Sequence, residues 1–544
     1  MSLDANLDAV DAAIINRALV AATHEMGTKL IRSAHSPIVR EAQDCSAAIM
    51  NTAGRVVAQA ELTPVQLGSI AHTFQPCLER YPLESIEPGD FFINNDPYSG
   101  GQHIQDIFLF SPIFLGDRLM GFSASVVHHI DLGGGAPGLN PAAGDVHQEG
   151  LIFPPTKYSK ARDWDGGPFE RMIAANVRMP EATVGDIYAQ FAANAIGAKR
   201  LSALADRYGA DTLTTAMDEM LDYSERRIRS AIAGLPDGVF EAEAVLDGDG
   251  LREGRIHIRA QVRIDGSNLG ISFNGTDDQV TTNINCPFAS THAAAVAVVK
   301  SVLTDPDIPF NDGVDRVVSV SAPYGSILNP KPPAPVRARL LPAGRVFNAV
   351  MKALAQVAPE RVIAEGFDTT TPVCLSHLGP DGYNIYLEIL GGGYGGGKGS
   401  DGCDAVDCPL SNCSNIPVES LEMDYPFLRV ETYALRPGSG GEGQWRGGLG
   451  YERSYRALDD GVRFATYSDR AETRSQGLFG GAEGTPAEML IRRGQEEIKL
   501  GSKLAYEMEK DDVLIVRSGG GGGYGAPEAR AATAVDRDTT EGLA

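Results

Sequence analysis

Between residues 7 and 32, apolar side chains recur at helical spacing (Val10, Ile14, Leu19, Ala22), and neither Gly nor Pro interrupts them before Gly27. That pattern predicts a first long helix. From 33 to 165 the texture changes to short β-like runs, Ala47–Met50, Ile107–Phe110 and Ser125–Val127, separated by Gly, Pro, Asn and Asp. Residues 168–233 return to helical patterning, first over Phe169–Asn176 and then over Val184–Ile232. A boundary falls near Gly234–Gly238, after which the strict alternation of Arg255–Arg263 marks half-buried antiparallel strands. Beyond about residue 385 the chain is Gly-rich, with strand runs at Val462–Tyr467 and Asp512–Val516, and it closes on Gly519–Gly523 and a polar tail. The expectation is a multi-domain α+β fold with mixed and antiparallel sheets flanked by helices. Its expected units are 1–235 (a helix, a β-rich region and a helical segment), 236–385 (mixed sheet), 386–530 (Gly-rich β) and a tail, 531–544.

Charge narrows the function. With 47 Lys+Arg against 71 Asp+Glu in 544 residues, the chain carries a formal −24. That balance excludes the basic footprint of a nucleic-acid binder or of a protein held on an anionic membrane. A content of 43% hydrophobic and 22% charged residues is that of a folded globular protein. No apolar run approaches the roughly 18 residues of a membrane span, and the acidic N-terminus lacks the basic start of a signal peptide. Seven cysteines, odd in number and mostly far apart, point to a reducing, cytoplasmic setting. Cys403, Cys408 and Cys413 recur every five residues, without the tight spacing that closes a chelate on zinc.

The informative cluster lies between residues 72 and 147, which hold five of the ten histidines: His72, His103, His128, His129 and His147. Asn94–Asp106 reads as a Gly/Pro loop feeding a strand, and Leu115–Arg118 as a hairpin turn whose partner strand returns to His129. A two-residue turn places Asp106 opposite Val127, on one face with His129, whereas a three-residue turn places it opposite His128. Either register sets a histidine beside Asp106, and His103 can fold back over the same point. Two imidazoles and a carboxylate suit a divalent ion such as Zn, Mn or Fe, while turn and capping roles are the structural alternative. Asp131 and Gly133–Gly135 would line the rim. Glu41 and Asp44 precede an apolar strand, as an acid/base pair or as a solvated edge. Gly391–Ser400 looks like a phosphate loop but has Gly399 where Ser or Thr must meet Mg²⁺, so no nucleotide site is expected in this chain.

Several pieces, in order, resemble the hydantoinase B / 5-oxoprolinase B family. They are Arg32–Pro37 with Glu41 and Asp44; Asn95–Gly101 with His103 and Asp106; His128–Asp131 with Gly133; Phe273–Gln279 with Asn285; Gly438–Gly448; and Gly519–Pro527. Gln102 and Asn274 depart from the family's more usual Thr and Ser. The resemblance implies a catalytic B-type subunit of an ATP-dependent cyclic-amide hydrolase, opening hydantoin, 5-oxoproline or lactam rings. An A-type ATPase subunit would bind ATP and phosphorylate the substrate, giving a hetero-oligomer. It implies a divalent metal on His103, Asp106 and His128, with Glu41, Asp44 or Asp131 handling the proton. A component of a ketone carboxylase and a non-catalytic scaffold are the alternatives.

Overall fold

The computed structural model describes residues 8–252, 254–305 and 308–544. Among the described residues, four sheets and their flanking helices make an α+β protein. The helix predicted first spans Ala9–Ser33, capped by Asp8, whose carboxylate accepts from the Val10 N–H. The helical pattern over Val184–Ile232 divides into two helices, Pro180–Tyr208 and Ala210–Ile232. The break is at Gly209, whose φ of 88° no L side chain adopts cheaply. The polar tail carries a final helix, Ala532–Thr540.

The sheet that matters for function comprises β1 (Cys45–Met50), β2 (Val56–Gln59), β3 (Asp90–Asn94), β4 (Asp106–Leu115), β5 (Arg118–His128) and β6 (Thr156–Ser159). Its order is β2-β1-β5-β4-β3-β6, antiparallel throughout. Both faces are covered, which is why β4 and β5 read as continuous apolar runs rather than as alternating ones. On one face Phe92, Phe108, Phe110 and Phe122 pack around Phe74 of the helix Ile70–Arg80. On the other, Ile93, Ile107, Leu109 and Val127 lie beneath helices that include Pro180–Tyr208.

The hairpin combines both registers expected from the sequence. Its turn has two residues, with Leu115 paired to Arg118 and Phe114 to Leu119, but a bulge at Met120 shifts the ladder so that Ile113 faces Gly121. From there the pairing runs to Asp106 opposite His128.

The second sheet (Val318–Ser321, Asn268–Ser272, Ile256–Asp265, Gly238–Leu246) is mixed, its first pair being parallel. The buried helix Leu340–Ala355 packs on it and against the helix Phe288–Leu303. Two antiparallel sheets complete the molecule. One holds Thr371–Gly379 and Gly382–Leu390, and the other holds Tyr451–Ala457 and Val513–Arg517.

The C-terminal glycine runs pack against one another. Gly393, Gly447 and Gly521 bond laterally with neighbouring runs, as in Gly393 N–H to Gly519 O at 3.1 Å and Gly521 N–H to Gly448 O at 2.9 Å. A Cβ on Gly393 would stand 1.9 Å from the Gly448 carbonyl oxygen, and one on Gly521 would stand 1.9 Å from that of Tyr394. Close approach of backbones, not left-handed backbone, is what requires glycine there. Lys398, the lysine of the apparent phosphate loop, pairs with Glu360.

Candidate metal centre

The Asn95–Gly101 motif is a folding device that delivers His103 to the start of β4. The Asn95 side chain donates to Ile104 O (2.6 Å) and Leu151 O (3.0 Å) and accepts from the Phe153 N–H (2.6 Å). Asp96 accepts from the Tyr98 N–H at 2.9 Å and the Ser99 hydroxyl at 2.7 Å. Gly100 has φ 87° and lies where a Cβ would meet His72 O at 2.1 Å, so the loop can close only with glycine. A turn from His103 O to the Asp106 N–H (3.1 Å) then starts the strand.

His103, Asp106 and His128 converge, all buried. His103 Nε2 lies 3.1 Å from Asp106 Oδ1, His128 Nδ1 lies 3.3 Å from the same oxygen, and the two nitrogens are 3.2 Å apart. Ligands about 2.1 Å from one ion stand about 3.0 Å apart at right angles and about 3.4 Å apart at the tetrahedral angle. The triangle of donor atoms therefore fits a single divalent ion capping one of its faces. Among the described residues it is the one such grouping of His, Cys, Asp and Glu. Cys403 is exposed while Cys408 and Cys413 are buried, and all three are free thiols outside it.

The electrostatics agree with ligation. Burial pushes His128 down to about 4, and burial with the Arg339 charge drives His103 well below its ordinary value, so both imidazoles are neutral at pH 7. Burial opposes ionisation of Asp106, but the hydrogen bonds of His103 and His128 and the Arg339 charge outweigh it and hold the carboxylate charged. His103 Nδ1 has two possible partners, Arg339 Nη1 at 2.9 Å and the Arg337 carbonyl oxygen at 3.1 Å. With its proton on Nε2 the ring accepts from Arg339. Were Nε2 to hold an ion, the proton would sit on Nδ1 and be donated to Arg337 O, the orienting contact typical of ligating histidines.

Strand alternation separates the neighbouring histidines. His128 shares the face of Asp106, whereas His129 turns to the opposite face, where burial lowers it to about 4 despite the Asp186 charge.

The remaining sequence candidates have distinct positions. Asp44 adjoins the triangle: its Oδ2 is 3.8 Å from His128 Nδ1, and Oδ1 accepts from Gln66 Nε2 at 2.8 Å. Burial, reinforced by the Asp106 charge, raises Asp44 to about 8. Glu41 is not brought to the cluster; its carboxylate pairs with Arg40 (2.9 Å), which also binds Asp424. Both oxygens of Asp131 are engaged by Arg178, one by the backbone N–H and one by the guanidinium at 3.1 Å. Asp131 thus fixes the loop before the helix Pro180–Tyr208.

Two residues have no marker in the local pattern. Arg339, beside the helix Leu340–Ala355, donates to Asp106 Oδ2 (2.6 Å) and to Gln102 Oε1 (2.7 and 3.0 Å). Gln66, on the short helix Pro64–Leu67, spans Asp44 and Asp106. Gln102, in the sequence only a departure from the more usual Thr, positions Arg339 and donates to the Ser69 hydroxyl at 2.6 Å.

The fold buries this two-histidine, one-carboxylate cluster at the open end of the β4–β5 hairpin. The chain belongs to the hydantoinase B/oxoprolinase family, whose profile matches residues 8–527. A protein of Pseudomonas sp. (strain NS671), provisionally named as the B-type subunit of a D-/L-hydantoinase, is 35% identical over 559 residues, covering 99% of this chain and 93% of that one. The crystal structure of the ATP-dependent caprolactamase from Pseudomonas jessenii superposes with a TM-score of 0.90 at 27% identity, covering 99% of this chain and 94% of that one. Acetone carboxylase, in its nucleotide-free structure, shares the fold with a TM-score of 0.86 at 18% identity, covering 98% of this chain and 78% of that one. Among the described residues no helix is long and apolar enough to cross a membrane.

Proposed function

We propose that this chain is the ring-opening component of an ATP-dependent cyclic-amide hydrolase, working with an A-type ATPase subunit that activates the substrate carbonyl. The observation that carries the reading is the buried donor triangle of His103, Asp106 and His128 in a chain of this family. A divalent ion held there would supply Lewis-acid polarisation of the scissile carbonyl or of water. The protein's own groups do the rest. Arg339 holds the Asp106 carboxylate in one orientation, and Gln102 holds Arg339. Asp44, with Oδ1 committed to Gln66, presents Oδ2 beside His128 as the atom that holds and releases a proton. The likeness to acetone carboxylase is one of fold, and the related caprolactamase acts on a lactam, so the hydrolase reading is preferred.

The test is to incubate the chain and its ATPase partner with ATP and 5-oxoproline, hydantoin or caprolactam, and separately with acetone or acetophenone and labelled bicarbonate. Ring opening is expected in the first set. Product in the ketone set alone would reject the assignment, and a preparation that binds no divalent ion would remove its basis.

Acid should empty the centre late. A base whose pKa is lowered on folding stays unprotonated until the pH approaches the folded value, so ligation by His128 survives well below the ordinary imidazole range. Metal content measured after dialysis is therefore expected to hold from pH 8 to about pH 6 and to fall as the pH nears 4. Half-loss at pH 6.5 would show that these imidazoles titrate normally.

A further inference from the structure

A cavity of about 530 Å³ lies beside the short helix Pro64–Leu67, a volume that suits a small organic molecule. The helix separates it from the His103 cluster: Gln66 turns to Asp44 and Asp106, whereas Pro64 and Leu67 stand on the cavity wall. Leu67, Ile308, Phe310 and Phe347 give that wall an apolar surface.

Into this cavity the last turn of the helix Phe288–Leu303 brings the amine of Lys300. Its Nζ lies 4.0 Å from the centre of the Phe310 ring. Among the described residues no carboxylate stands within ion-pair distance of this amine, and no oxygen accepts a hydrogen bond from it. Of the acids on the wall, Asp305 is engaged by Arg227 (3.6 Å) and Arg361 (3.5 Å), and Glu61 acts on the amine only at longer range. Burial penalises the ammonium and pushes Lys300 down to about 7, against the pull of the Glu61 charge. About half of such an amine is free base at pH 7, against fewer than about one in a thousand of a lysine at its ordinary value. A desolvated, unpaired lysine in an apolar pocket is the arrangement that makes an amine nucleophilic toward carbonyl groups.

We propose that this cavity is a second, covalent binding site, in which Lys300 forms an imine with an aldehyde or ketone that carries an apolar body. The Nζ lone pair attacks the carbonyl carbon, and a proton passes from nitrogen to oxygen to give the carbinolamine. That species loses its oxygen as water, together with the second N–H proton, as the C=N bond forms. No oxidant or reductant is consumed. The site is separate from the metal centre, and the proposal is independent of the cyclic-amide reading.

The test treats the full chain with benzaldehyde, and a parallel sample with glyoxylate, in the presence of cyanoborohydride, which delivers hydride to an imine and fixes it as a secondary amine. Peptide mass spectrometry then reads the rate at Lys300 against that at the exposed Lys29. At pH 7 benzaldehyde is expected to label Lys300 at least about 10-fold faster than Lys29. The ratio should fall as the pH rises from about 7 to about 10, because Lys300 is by then free base while an ordinary lysine is still losing its proton. Glyoxylate, small and anionic, should show less preference for Lys300 than benzaldehyde does. Equal rates at pH 7, or a ratio that stays flat to about pH 10, would show Lys300 to be an ordinary ammonium steadied by Phe310 and Glu61 and would overturn the proposal. A stronger preference of Lys300 for glyoxylate than for benzaldehyde would overturn it too, because the amine would then be selecting charge and not an apolar body.

Discussion

Asp106→Asn is expected to strip the centre of its metal and to reduce ring opening in the reconstituted complex by at least about 100-fold. Removing an orienting partner of a ligand already lowers affinity or activity by about 10- to 100-fold, and Asp106 is a donor atom of the triangle itself. The same substitution leaves Arg339, 4% exposed on its side chain, without its anion. Breaking a buried pair from one side costs about 3–5 kcal/mol, so the denaturant midpoint should fall as well. Arg339→Met separates the two effects, because it keeps all three donor atoms and removes only the guanidinium that contacts Asp106 and His103 from behind. It should bind metal more weakly yet still measurably. An Asp106→Asn chain that retains full metal content would show that the triangle is an ion-pair network and no metal centre.

How far this site is legible depends on distance along the chain. The hairpin of β4 and β5 is readable because strand pairing has a two-residue period and a short turn, and both registers put an imidazole near Asp106. What decides between His128 and His129 is a bulge at Met120, marked in the sequence only by the adjacent Gly121. A Cβ on Gly121 would meet Met50 O at 2.2 Å, a contact with β1 that no local pattern reveals. Arg339 is illegible for another reason. It lies 233 residues beyond Asp106, in an apolar stretch where an arginine has no visible partner until the second sheet and its helix are docked. Asp131, by contrast, stands out in the sequence as an acid close to His128, but both its oxygens serve Arg178. The glycine runs stand out by their abundance, yet their lateral packing joins segments as distant as Gly393 and Gly519.

A last expectation concerns the join between the two C-terminal sheets. Glu388, fully buried on the strand Gly382–Leu390, is ion-paired with Arg453 at 2.9 Å. Its Oε2 accepts from the Tyr455 hydroxyl (2.7 Å) and from the Tyr386 hydroxyl, and its Oε1 accepts from the Ile416 N–H (2.9 Å). Arg453 and Tyr455 belong to the other sheet, so one carboxylate ties the two together. Glu388→Gln keeps the shape, removes the charge and turns an NH₂ toward groups that are themselves donors. The expected loss is about 3–5 kcal/mol of unfolding free energy, read from denaturant curves. Metal content in native buffer should stay unchanged, because no member of this network touches the His103 cluster. A Glu388→Met, Arg453→Leu double variant should recover much of the loss, since apolar residues of similar volume can replace a buried pair when both partners go together. A Glu388→Gln chain within about 0.5 kcal/mol of the native one would mean that the join is held by apolar packing and the network is incidental.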